Sequence, residues 1–151
     1  MADFRERLAD DLKEAMRAHA EQRRDTIRML NAALKNAQIA AMHPLSKAEA
    51  EAVLVGQVKQ RRDSIEAFRS AGREDLAAKE EGELVILSAY LPPAPSAEAL
   101  ADAIREAIAA TGASSLKDMG GVVRVVLERF AGHVDGKEVA AQVRGALQGN
   151  A

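Results

Sequence analysis

The sequence predicts an all-α protein, with an N-terminal bundle of about four helices followed by a small three-helix tail. Hydrophobic residues make up 48% of the 151 positions but aromatic residues only 3%, so the core must consist of Ala, Leu, Val and Ile, which favours helices over sheets. Apolar side chains recur at spacings of three and four along most of the chain, as on one face of a helix. Three of the four prolines stand at positions 92, 93 and 95, which predicts a stiff linker over 92–95 between an N-terminal domain, 1–91, and a tail module, 96–151.

The first two helices are predicted by their apolar seams. The first seam has spacings of four: Phe4, Leu8, Leu12 and Met16. Asp3 and Glu6 have the spacing of a capping box at its start. The polar segment 19–24 then leads to a second helix with the seam Ile27, Leu30, Leu34 and Ala37. We expect this helix to end near Pro44, because proline cannot continue a helix.

The third helix begins with a capping box formed by Ser46 and Glu49. Arg61 falls within its apolar stripe, between Val58 and Ile65. The stem of Arg61 can pack in that stripe while the guanidinium reaches a carboxylate or solvent at the edge. We therefore expect a charged group at the border of the core.

The fourth helix follows a turn at positions 71–72 and is acidic. We expect it to face the basic third helix across a tight helical hairpin. Glu80, Glu81 and Glu83 are either a carboxylate cluster or, as is far commoner, a salt-bridged helix face. Gly82 indicates a close approach of another helix, since glycine inside a helix costs about 1 kcal/mol relative to alanine.

The tail reads as three short helices. Ser96 is the expected N-cap of the first, which ends at Thr111 and Gly112. A short turn or helix then leads into Gly120 and Gly121 and the second helix, and a third helix closes the chain.

The candidate binding residues are basic side chains and backbone amides of the tail. Phosphate groups bind exposed Lys and Arg near helix N-termini and glycine backbone. The candidates for contact with nucleic acid are Lys117, Gly120, Gly121, Arg124, Lys137 and Arg144. Alternatively, the two glycines only permit a tight turn or close packing.

Basic stripes on the second and third helices are secondary candidates. They comprise Arg24, Arg28 and Lys35 on the second helix, and Lys59, Arg62 and Arg69 on the third. Each stripe is either a ledge for phosphate or an ordinary solvated face.

Several function classes lack support in the sequence. There is no Cys, and no metal, catalytic-triad or phosphate-loop spacing, so we expect no metal, no cofactor and no catalytic residue. No run approaches the length of a membrane span, and we expect a cytoplasmic protein. A net charge of −2 means that any polyanion must find a local basic patch.

Several blocks of sequence resemble one known family. They are QRRDSIEAFRSAGREDLAAKEEGELVILSAYLP at 60–92, DTIRMLNAALKNA at 25–37, TGASSLKDMGGVV at 111–123 and DGKEV at 135–139. Together they resemble the YqeY family, whose members are related to the C-terminal part of GatB, a subunit of the tRNA-dependent amidotransferase. The resemblance implies an all-helical protein of two parts, whose tail contacts tRNA through positions 117–121 and 135–137.

Two function hypotheses follow, with a third that has less support. The first is a non-catalytic accessory protein that binds the folded body of tRNA. The second is an adaptor whose helices dock on an aminoacyl-tRNA synthetase or an amidotransferase subunit. The third, an amide-transfer enzyme that uses glutamine as amido donor, rests on family kinship alone, because no catalytic constellation is present.

Overall fold

A computed structural model of the chain describes residues 3–91, 94–130 and 134–149. Within these ranges every regular element is a helix, which confirms the all-α prediction. The α-helices are α1 (Arg5–Arg17), α2 (Glu21–Ala41), α3 (Lys47–Ser70), α4 (Glu74–Ser88), α5 (Ala97–Thr111), α6 (Met119–Arg129) and α7 (Gly136–Gly149), with a short 3₁₀ helix at Leu116–Asp118. Pro92 and Pro93 of the expected linker lie outside the described residues.

The chain divides into two compact units, residues 1–91 and 92–151. In the first unit, α2 packs against α1, α3 and α4, and α3 pairs extensively with α4. Its core includes Tyr90, which is 6% exposed, and large apolar side chains that are at most 4% exposed: Phe4, Leu8, Ile27, Leu30, Leu54, Val58 and Leu87. Each such side chain contributes about 1.5–3 kcal/mol through burial. These residues include the first members of the apolar seams expected for the first three helices, whereas Leu12 and Leu34 are half-buried and Met16, at the end of the first seam, is exposed.

The starts of α1 and α3 differ from each other. At α3, the Glu49 backbone N–H donates to Ser46 Oγ (3.1 Å) and the Ser46 N–H donates to Glu49 Oε1 (3.4 Å), which confirms this capping box. At α1 the expected capping box is wrong: Phe4 holds the N-cap position, and the Asp3 carboxylate accepts the backbone N–H and the guanidinium of Arg5. The Asp3 carboxylate therefore accepts one amide at the start of α1, but the reciprocal bond to the Glu6 side chain that a capping box requires is absent among the described residues.

The connection between α1 and α2 is shorter than expected. It spans residues 18–20 rather than 19–24, and His19 has a left-handed φ of 53°. The polar residues from Glu21 to Arg24 form the first turn of α2 instead of a link. This helix ends at Ala41, just before His43 and Pro44, as expected.

The hairpin of α3 and α4 is joined by charges of opposite sign. The Arg61 guanidinium contacts Glu83 (3.2 Å) and Glu80 (3.7 Å), and Arg69 contacts Glu74 (3.3 Å) and Glu81. The acidic residues of α4 are therefore salt-bridged, and the expected facing of basic and acidic helices is confirmed.

Gly82 marks a close approach, as predicted. A Cβ at this position would lie 2.5 Å from Gln22 Nε2, which itself donates to the Lys79 carbonyl (3.1 Å). A side chain of α2 thus crosses α4 where glycine leaves room for it.

In the second unit, α5, α6 and α7 pack around a small aliphatic core. Ser96 Oγ accepts the Ala99 N–H (3.0 Å), and Gly112 ends α5 with a φ of 68°, so both predicted ends are confirmed. The most buried side chains of this core are Ile104, Val122, Val126, Val139, Val143 and Leu147.

Candidate nucleic-acid interface

Lys117 and the two glycines lie around the start of α6. Lys117 is an exposed residue of the 3₁₀ helix, and Gly120 and Gly121 belong to the first turn of α6. Neither glycine has a positive φ, and a Cβ on either would meet no described atom within 4 Å. A tight turn or close packing therefore does not account for these glycines. Without side chains, they leave the backbone at this end of α6 accessible.

A carboxylate already occupies part of this helix start. Asp118 Oδ2 accepts the backbone N–H groups of Ser114 (3.0 Å) and Ser115 (3.3 Å). These two hydrogen bonds hold the pKa of Asp118 below its usual range, because they favour the charged form. The N–H groups of Ser114 and Ser115 are therefore already hydrogen-bonded to a carboxylate.

Lys137 stands at the other end of the helical hairpin formed by α6 and α7. Gly136, at the start of α7, lies beside Leu127, and a Cβ on it would be 3.8 Å from Leu127 Cδ1. About 12 Å of helix axis separates Leu127 from Met119 at the start of α6. Lys117 and Lys137 are thus not part of one cluster.

Arg124 and Arg144 lie between these two ends. Arg124 is exposed on α6, and Arg144 is exposed two turns along α7 from Lys137. The tail candidates therefore form an extended set of cations along one hairpin. Such a set suits a long backbone of phosphates better than a single phosphate group.

The secondary stripes of the first unit contain cations of two kinds. Arg24 is paired with Asp25 (2.9 Å), and Arg69 is paired with Glu74 and Glu81. Arg62 is half-buried. The remaining three are exposed and form no salt bridge among the described residues: Arg28, Lys35 and Lys59. Arg28 nevertheless helps to lower the pKa of the nearby Asp25. Ion pairing thus reduces the number of cations that each stripe offers to a phosphate.

Tyr90 forms a polar contact that the sequence did not reveal. Its hydroxyl donates to Asp11 Oδ2 (2.6 Å), and Asp11 Oδ1 lies 3.6 Å from Arg23. The Arg7 guanidinium stands 5.1 Å from the centre of the Tyr90 ring, a cation–π contact. Burial and the hydrogen bond to Asp11 raise the pKa of Tyr90 above its ordinary value. The contact fastens the segment after α4 to α1.

Comparison with known proteins identifies the family. The family model of the Yqey-like proteins matches residues 5–147, nearly the whole chain. The chain belongs to the YqeY-like family. The expected membership of the family is confirmed, and the AGREDLA segment of this YqeY-like chain lies on the α3–α4 hairpin.

Curated relatives of this YqeY-like chain include fungal proteins named "Altered inheritance of mitochondria protein 41, mitochondrial". The protein from Eremothecium gossypii is 40% identical over 97 residues, which cover 62% of this chain and 53% of the relative. The match thus spans about half the length of that protein. The relative from Saccharomyces cerevisiae (strain ATCC 204508 / S288c) is 33% identical over 140 residues, covering 89% of this chain and 72% of its own. The relative from Pyrenophora tritici-repentis is 32% identical over 145 residues, covering 92% and 70%.

In the ranges that the structure describes, none of the helices combines the length and the apolar character needed to cross a bilayer.

Proposed function

We propose that this YqeY-like chain is a non-catalytic accessory protein that binds folded tRNA. In this proposal an N-terminal helical bundle, 1–91, is joined by the linker 92–95 to the three-helix tail, 96–151. The tail contacts the sugar–phosphate backbone of the RNA. The first unit contributes Arg28, Lys35 and Lys59 as secondary contacts.

The main support for the proposal is that the tail contains two sets of cations, one in ion pairs with carboxylates and one without such partners among the described residues. Arg105 and Arg129 are paired with Asp102 and Glu106. By contrast, the other set is exposed and has no carboxylate partner within the described part of the chain: Lys117, Arg124 and Arg144. Cations without a partner can bind phosphate and release counterions without first breaking an ion pair.

The composition of the tail favours recognition of shape over recognition of sequence. Single-stranded RNA is read by stacking bases on aromatic side chains, whereas duplex RNA is contacted through its phosphates and 2′-hydroxyls. The tail contains one Phe and no Tyr or Trp, and Phe130 is half-buried beneath the Arg129 guanidinium (5.4 Å). Folded tRNA, with its stacked helices, fits this surface.

The test is the affinity of the full chain for labelled bulk tRNA across a salt series. We expect the logarithm of the affinity to fall linearly with the logarithm of salt concentration, with a slope of about −0.9 for each phosphate contacted. The double variant Lys117→Ala/Arg144→Ala should bind at least tenfold more weakly in dilute buffer and show a shallower slope. The matched control is Arg105→Ala/Arg129→Ala, which removes the same charge from the same unit and should change the affinity less than threefold.

Other outcomes would overturn specific parts of the proposal. Absence of binding in dilute buffer would overturn tRNA binding itself. Equal weakening by both double variants would overturn the assigned contact residues, because net charge alone would then explain the loss. Recovery of an aminoacyl-tRNA synthetase or amidotransferase subunit after nuclease treatment, by a chain that does not bind tRNA, would favour the adaptor hypothesis. Lys137→Ala separately tests whether the far end of the hairpin takes part.

The location of the protein belongs to the same proposal. The sequence leads us to expect the cytoplasm, whereas the fungal relatives are named as mitochondrial proteins. tRNA is present in both the cytoplasm and mitochondria, so the proposal of tRNA binding does not depend on which compartment contains the protein. Subcellular fractionation with an antibody against this chain would decide between them.

A further inference from the structure

A groove with an apolar floor runs between α1 and α2 in the first unit. Its volume is about 410 Å³. Leu8, Leu12 and Met16 of α1 and Leu34 of α2 form most of the floor. Met16 is 48% exposed, so the floor is open to solvent at that end. The groove extends along α1 from Arg5 to Met16, which corresponds to about 16 Å of helix axis.

The charges along this groove have one sign. Among the described residues that line it, two are cations, Arg5 and Lys13, and none is acidic. The charge of Arg5 is compensated by Asp3 (2.5 Å), whereas Lys13 has no ion pair among the described residues. At the open end, Arg28 of α2 places Nη2 3.9 Å from Met16 Sδ; it forms no salt bridge in the described ranges, but it lies near enough to Asp25 to help lower the pKa of that carboxyl. The uncompensated charge therefore lies in the half of the groove that contains Lys13 and Met16.

We propose that this groove binds one amphipathic α-helix of another protein, with acidic residues beside its apolar face. A helix of about three turns matches the length of the groove. Its apolar side chains, at positions i, i+3 or i+4 and i+7, cover Leu12, Met16 and Leu34. Its carboxylates lie opposite Lys13 and Arg28.

The composition of the floor favours a helix over RNA as the occupant. Leu12, Met16 and Leu34 offer apolar area, which phosphates and sugars do not use. No aromatic ring on which a base could stack is found among the described residues that line the groove. Methionine adapts its shape to a partner because its side chain is flexible and polarizable. The site lies within the first unit and does not depend on RNA binding by the tail.

The first experiment is photo-crosslinking of the full chain in its native cells. A diazirine side chain replaces Met16 in one variant and Met42, which is 90% exposed on the segment after α2, in the control variant. We expect crosslinks specific to the Met16 variant, and mass spectrometry should map them to an acidic amphipathic helix of another protein. A synthetic peptide of that mapped segment is then the probe for affinity measurements.

Two substitutions test the groove against this peptide. Lys13→Glu should weaken binding at least tenfold, because like charges then face each other. Lys59→Glu, the same charge reversal on an exposed residue of α3, should change binding less than twofold. Ala9→Gln places a larger side chain at an exposed position that lines the groove and should weaken binding without removing a core contact.

Each contrary result would overturn the proposal. One such result is that the Met16 variant crosslinks only to nucleic acid, or only to a second copy of this chain. Another is that it crosslinks only to protein segments without acidic residues. The proposal would also be overturned if the Met16 variant crosslinked no more strongly than the Met42 variant. Equal weakening of peptide binding by Lys13→Glu and Lys59→Glu would overturn it as well.

Discussion

Arg61 of α3 and Glu83 of α4 form an ion pair inside the first unit, with Nε 3.2 Å from Oε2. Their side chains are only 7% and 10% exposed. The same guanidinium donates to Gln57 Oε1 (3.0 Å) and lies 3.7 Å from Glu80. Burial, followed by repulsion from Glu83, raises the pKa of Glu80 above its usual range, while Arg61 opposes this shift. Arg61 is thus the one cation that these two carboxylates share.

Removal of this cation should strongly destabilise the first unit. We expect Arg61→Met to lower the free energy of unfolding by about 3–5 kcal/mol at neutral pH, because Glu83 is left buried without its partner. Urea unfolding followed by tyrosine fluorescence measures this change, since Tyr90 is the only tyrosine, there is no Trp, and Tyr90 lies in the first unit.

The control for Arg61→Met is Lys59→Met, which removes an exposed cation of the same helix and should change stability by less than about 0.5 kcal/mol.

The loss of stability caused by Arg61→Met should also be smaller near pH 4. Arg61 opposes the upward shift of the Glu80 pKa, so its removal lets that pKa rise further. The folded variant then binds more protons than its unfolded state, and its stability rises as the pH falls through the raised pKa. Equal costs for the two substitutions would show that the buried pair does not stabilise the fold.

Gly82→Ala should reveal the contact between α4 and Gln22. Alanine favours the helix by about 1 kcal/mol, but its Cβ displaces the Gln22 amide from its hydrogen bond with Lys79, so the net change should be less than about 0.5 kcal/mol. In a Gln22→Ala background the same substitution should stabilise by about 1 kcal/mol. Urea unfolding of the four proteins measures the difference. Identical effects in both backgrounds would contradict the close approach.

The Tyr90 hydroxyl should resist ionisation in the folded protein. Burial and the hydrogen bond to Asp11 raise its pKa, so the folded state keeps the proton that the unfolded state loses above about pH 10. Stability should therefore fall as the pH rises above about 10. Tyrosinate absorbance, which reports Tyr90 alone, should appear only as the protein unfolds.

The Asp11 contact can be separated from the burial of the Tyr90 ring. Tyr90→Phe keeps the ring beneath Arg7 but removes the hydrogen bond, and should cost about 1–2 kcal/mol, measured by circular dichroism. The fall in stability above about pH 10 should disappear in this variant. Early appearance of tyrosinate absorbance in the native protein would contradict the assigned hydrogen bond.

Asp118 should titrate at unusually low pH. The N–H groups of Ser114 and Ser115 lower its pKa, so the stability that they contribute is present above the unfolded pKa and is lost as the pH falls through the folded one. Proton NMR should show the amide signals of Ser114 and Ser115 shifting together, at a pH below the usual carboxyl value of about 3.9. Asp118→Asn should abolish this shift. A shift that persists in the variant would assign the titration to another group.

Local signals predicted the helices and many of their ends. Helix caps act on backbone groups within a few residues, so the local sequence is enough to predict them. The examples here are Ser46 with Glu49, Ser96 and Gly112. Arg61 was also predictable, because an arginine in an apolar stripe must bring its charge to a partner. The capping box at Asp3 was wrong because it was inferred from spacing alone: the Asp3 carboxylate accepts the Arg5 N–H, but Glu6 does not form the reciprocal bond among the described residues.

The distances between functional groups could not be read in this way. Tyr90 and Asp11 are 79 positions apart, and no local pattern connects them. The spacing of the tail cations likewise did not reveal that Lys117 and Lys137 lie at opposite ends of one hairpin. Periodicity and capping depend on interactions within a turn or two of helix, whereas these contacts depend on how whole helices pack. Which side chains meet across that packing is set by the shapes of the apolar faces that the helices bury against one another.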